Sequence, residues 1–111
     1  MATTGSGTPF TLTTTPVAVL SAGANELVII TRLQAYNSDT TSRVVTLHQV
    51  PSGGSVGATT KVHVQTVYAG QSTSIDFAGA ITNNGGSIYA SADVTSVVVL
   101  SANAFLSDQL P

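Results

Sequence analysis

The chain has no cysteine and no tryptophan, and only 7% of its 111 residues are charged, against a usual share of about 25%. Without cysteine there is no disulfide framework, no thiolate nucleophile and no thiolate zinc site. The three basic residues, Arg32, Arg43 and Lys61, stand singly, so nothing supplies the clustered positive charge that a phosphate backbone requires, and no nucleic-acid partner is expected. The five acids, Glu26, Asp39, Asp76, Asp93 and Asp108, are spread among turns and strands, with no spacing that marks a pair for glycoside hydrolysis. No apolar stretch approaches the ~20 residues of a membrane-spanning helix, and MATTGSGTPF has neither the basic region nor the apolar run of a secretory signal. The expectation is a soluble chain made in the cytoplasm, with no membrane partner.

Thr and Ser stand where charges would otherwise cover the surface, and Thr is favoured in strands by its β-branch. A net charge of −2 on such a surface gives little mutual repulsion between copies. The composition therefore points to a component of an assembly, against the plainer reading of a monomeric Ser/Thr-rich β domain.

The patterning is that of strands. Residues 26–50 read as a hairpin, a long strand ELVIITRLQAYN, the polar turn NSDTTS and a second strand RVVTLHQV, because side chains alternate faces along an extended chain. Leu27 and Ile29 fall on one side and Val28 and Ile30 on the other, so the first half of the long strand is apolar on both faces and needs cover on both. Further strands are read at PFTLTT, PVAVL, KVHVQTVY, STSIDF, SIYASA and TSVVVLSA, with turns at SAGAN, AGQ and NNGG. No segment holds a helical period. One all-β domain follows, a two-sheet antiparallel sandwich of seven or eight strands with jelly-roll or related topology.

Residues 1–8 are small and polar and read as a mobile arm, residues 9–102 as the sandwich, and residues 103–111 as an apolar tail. Contacts to other chains are expected at Phe10 on the proline-led edge strand, at Gly53, Gly54 and Val56 in the glycine loop after Val50, and at Phe105, Leu106 and Leu110 in the tail.

Chemistry is not indicated. His48 and His63 lie on successive strands but have no third ligand, and both read as solvent-facing. The turn at 37–42 has one carboxylate, Asp39, too few for a tight Ca²⁺ site. There is no G-x-S-x-G elbow and no phosphate-binding glycine loop ahead of a helix. Neither an enzyme nor a cofactor or metal is expected. Glycan binding stays open, although there is no Trp and only Tyr36, Tyr68 and Tyr89 serve as stacking platforms.

The segments AYNSDTTSRVVTLHQVPSGGSVG and VYAGQSTSIDFAGAITNNGGSIYASAD, followed by a Val-rich strand, resemble small virion proteins of tailed bacteriophages over residues 28–99. The resemblance implies a structural part of the particle: a capsid decoration (cement) protein, a head fibre or a tail component. A cement protein of this kind implies a homotrimer on the capsid surface, assembled in the host cytoplasm and bridging subunits of the major capsid protein. A tail, neck or fibre-base protein and a glycan-binding module are the alternatives.

Overall fold

In a computed structural model the chain is described over residues 2–6, 9–21, 27–51, 53–75, 79–82 and 86–107. For 2–6, 27–32, 79–82 and 102–107 the description is of backbone and pairing. The turns read at SAGAN and NNGG lie largely outside these residues, as do Asp76 and Leu110.

The strands are β1 (Ala2–Ser6), β2 (Phe10–Thr11), β3 (Val17–Ser21), β4 (Leu27–Asn37), β5 (Arg43–Val50), β6 (Lys61–Val67), β7 (Ser72–Ile75), β8 (Gly79–Thr82), β9 (Ser87–Ala92) and β10 (Val98–Ser107), with one 3-10 turn at Ala58–Thr60. One sheet runs β1-β10-β4-β7, with β2 also on β10 and β8 also on β4; the other runs β3-β9-β5-β6. All the pairings are antiparallel. In the first sheet β2 and β1 follow one another along one side of β10, opposite residues 99–100 and 103–107. In the same way β7 and β8 share one side of β4. Each sheet is thus four strands wide, and the chain crosses between sheets in the order of a double Greek key, an eight-strand jelly roll.

The core lies between the sheets. Leu33, Ala35, Val98 and Leu100 from one layer meet Val45, Leu47, Ile88, Ala90 and Val67 from the other, with Leu12 closing one side; all are at most 1% exposed. The alternation of β5 and β9 follows the pattern that the sequence expects, aliphatic inside and Thr46, Ser91 and Tyr89 outside.

Three expectations need correction. Residues 26–50 are no hairpin: β4 pairs with β10, β7 and β8, whereas β5 pairs with β6 and β9 in the opposite sheet. The turn between them is a corner, because Asn37 is buried there and turns the chain from one layer to the other. Residues 2–6, read as an arm, form β1 along the end of β10, since that edge of the ladder is open to any extended segment. The sandwich does not stop at residue 102, because β10 continues to Ser107 opposite Leu27 and the apolar runs of β4 and β10 lie side by side. A bulge between Asn103 and Ala104 of that ladder leaves Thr31 as the extra residue on β4.

Candidate functional site

Sequence candidates disperse over this frame. Phe10 is half-buried, pairs with Leu100 and packs on the core. Phe105 and Leu106 lie within β10, opposite Ile29 and Val28, as strand rather than tail residues. Gly53 and Gly54 are exposed in the β5–β6 connection, where Gly54 N donates to Pro51 O at 2.9 Å and Gly53 takes φ +76°. Val56, further along, is half-buried.

That connection folds over the outer face of its own sheet. Thr60 Oγ1 donates to Gly57 O at 2.9 Å, accepts from Gly57 N at 3.0 Å and lies 3.0 Å from His48 Nδ1. A hydroxyl has one hydrogen, and here Gly57 O takes it, so His48 Nδ1 is the donor to Thr60. His48 is 7% exposed, covered by the loop, and is not the solvent-facing residue that its alternation suggests. His63 pairs across from Leu47 and bonds Gln65 Oε1 at 3.1 Å on the inner side of β6, so the two imidazoles sit on opposite faces and make no joint site. Among the described residues no three metal-ligating side chains converge.

Beside the loop is an open depression of about 260 Å³, lined by Gln49, Val50, Pro51, Thr59, Thr60, Val62 and Gly86. Its lining is uncharged: an amide, two hydroxyls and an aliphatic floor. It can hold a neutral hydroxylated group, and it presents no acid or base to act on one.

At the far end of β5 the Asp39 turn is closed on itself. Arg43 donates to Asp39 Oδ2 from Nε at 2.8 Å and from Nη2 at 2.6 Å, and Asp39 Oδ1 accepts from Thr40 N at 2.7 Å. The Arg43 bonds, then the Thr40 amide, hold the Asp39 carboxyl below its ordinary pKa.

Val62 and Val64, on β6, are exposed residues that the sequence did not single out; Tyr68, just past the end of β6, and Tyr36 entered only as stacking rings. Val62, Val64 and Tyr68 are 44%, 53% and 60% exposed, and Tyr36, on the outer face of the other sheet, is 46% exposed. His63 and Gln65 are the half-buried residues of the strand and Val67 the fully buried one. β6 is thus inside out relative to its aliphatic pattern. The signal was available in Val67: it shares a parity with His63 and Gln65, and it is the valine nearest the buried corner.

Comparison with protein-family models, with curated proteins and with solved structures found no match to the chain.

Proposed function

We propose that the protein is a virion structural protein of a tailed bacteriophage, a capsid decoration protein that binds by burying neutral strand and loop surface against the major capsid protein. The observation that carries this reading is a jelly roll with 7% charged residues in which, among the described residues, Val62, Val64 and Tyr68 expose apolar surface on or just past one edge strand, with Tyr36 exposed on the other sheet. Uncharged, partly apolar faces suit a permanent partner better than solvent, where they favour association. Jelly rolls recur among capsid proteins and lectins, an analogy of fold that is compatible with the reading and assigns no role. The resemblance of residues 28–99 to small phage virion proteins supplies the setting. Cryo-electron microscopy of the virion tests it: density for the chain on the capsid surface is the expected result. Density at the neck, tail or fibre base would replace the cement role by the related structural one.

The depression beside residues 51–60 favours one second reading, a glycan-binding module. Saturable binding of a neutral saccharide on a glycan array, lost in Gln49→Ala, would establish it; a blank array leaves the structural reading alone.

A further inference from the structure

The free edge of β6 has the features of a strand prepared to pair. Asp93 N donates to Val44 O at 3.1 Å, and Ala92 N donates to Thr13 O at 2.9 Å. These bonds set the phase of the antiparallel ladders: even-numbered residues of β5 turn their peptide groups to β9, odd-numbered ones to β6. On β6, therefore, His63, Gln65 and Val67 bond back to Leu47, Val45 and Arg43, whereas Val64 and Thr66 turn N–H and C=O outward. The contact that the structure gives Thr66 O is a long one, 3.5 Å from the Gln65 side-chain amide.

The other edges carry the devices that block pairing. β3 is interrupted by a bulge between Ala18 and Leu20, and both edges of the opposite sheet are split into short tandem strands. β6 has a lysine and a bulge at its first two residues, opposite the Leu47/His48 step, and neither beyond. Among the described residues no strand lies along its outer side.

We propose that β6 pairs antiparallel with β6 of a second copy of this chain about a two-fold axis at Gln65. Only a register centred there uses both outward-facing residues in full, since Val64 then lies opposite Thr66 of the other copy and Thr66 opposite its Val64, a closed pair of hydrogen-bonded positions. The same register brings Tyr68 to the Val62 end of the other strand. The three exposed apolar residues of this edge thereby meet one another across the axis, as an isologous contact demands. Lys61, the one charge on the strand, meets no like charge near the axis. The pairing joins two four-stranded sheets into one. The pairing takes this apolar edge for itself, and the virion reading then rests on the charge-poor surface and on the resemblance of residues 28–99.

Two sets of variants test it, beginning with light scattering. The intact chain is expected at twice its 11.2 kDa mass, Val64→Lys at the single mass with an unchanged circular dichroism spectrum, and Val64→Lys/Thr66→Glu at the double mass again, because the new charges face each other. Cross-linking reads the register directly, since the chain has no cysteine of its own. In the proposed pair the two Gln65 positions are a non-hydrogen-bonded couple with Cα atoms about 4.5 Å apart, within disulfide reach. Gln65→Cys is expected to give covalent dimers on oxidation, and Tyr36→Cys, on the other sheet, to stay single. A Gln65→Cys chain that stays single, or an assembly of any size whose mass Val64→Lys leaves unchanged, overturns the pairing. A trimer unaffected by Val64→Lys does so while leaving the virion reading standing, whereas absence of the chain from the capsid surface fails the cement role and leaves the pairing standing.

Discussion

Asn37 Nδ2 donates to Val67 O at 3.0 Å, so a buried side chain at the end of β4 in one sheet holds the end of the edge strand β6 in the other. The same nitrogen donates to Thr41 O at 2.9 Å, and Asn37 Oδ1 accepts from Asp39 N at 2.9 Å. One amide thereby closes the corner between layers and leaves no polar atom of its own unmatched. Asn37→Leu, which removes all three bonds and leaves the Thr41 carbonyl and the Asp39 amide without that partner, is expected to lower unfolding stability by about 3 kcal/mol, read from urea melts. Asn37→Asp should be worse at neutral pH, because a carboxylate would face two carbonyl oxygens at 0% exposure. Burial raises the pKa of such an acid, so its deficit should shrink as pH falls and the acid is protonated in both states. A deficit that does not change with pH would argue against the assigned geometry.

The Asp39–Arg43 pair gives the opposite dependence. Its folded pKa lies below the unfolded one, so its contribution is fully present above the unfolded value of about 3.9 and is lost as pH falls through the folded pKa. In acid melts the stability difference between the native chain and Asp39→Asn should therefore narrow below pH ~4. The pair lies at the surface, with side chains 25% and 22% exposed, so added salt should reduce the difference at neutral pH.

The inside-out strand β6 sets two valines against each other. Val67→Ala empties a fully buried site and is expected to cost about 2 kcal/mol, two methyl groups' transfer plus a cavity term. Val64→Ala, at 53% exposure, should change the stability of the isolated subunit by less than about 0.5 kcal/mol. Equal costs for the two would restore the face assignment that the alternation suggests. The reason for the misreading is physical. Binary pattern assigns the aliphatic face inward, and on β6 that face carries Val62 and Val64 against Val67 alone. Register here is set from outside the strand, by Asn37 at one end and by the Thr60 turn and bulge at the other.

Strand existence was legible nearly throughout, because Gly, Pro, Asn and Ser clusters punctuate alternating runs. Partnership was not. NSDTTS has the composition of a hairpin turn and of a corner alike, and what decides is Asn37, whose partner Val67 is 30 positions away. The end of β10 was similarly hidden: residues 103–107 read as a tail because their pairing strand, residues 2–6, has the composition of an arm. The depression and the free edge arise from the loop over β5 and from the position of β6 at the sheet's margin, both of which are tertiary facts.

The Thr60 turn offers the sharpest chemical test. Thr60 Oγ1 gives its one hydrogen to Gly57 O and so accepts from both Gly57 N and His48 Nδ1, which requires the proton of the neutral imidazole on Nδ1. The ring-nitrogen resonances of His48 should show a protonated Nδ1 and an unprotonated Nε2 in the neutral form. Thr60→Val keeps the shape and removes all three bonds, so it should release that tautomer and cost about 1–3 kcal/mol through the donors left without partners. Because His48 lies under the loop at 7% exposure, amide exchange in residues 53–60 should quicken in the same variant while that of β9 and β4 stays slow. An Nε2-protonated His48 in the native chain would mean that Thr60 donates its hydroxyl hydrogen to the imidazole and not to Gly57 O, leaving the backbone bond from Thr60 N to Gly57 O at 3.1 Å to close the turn.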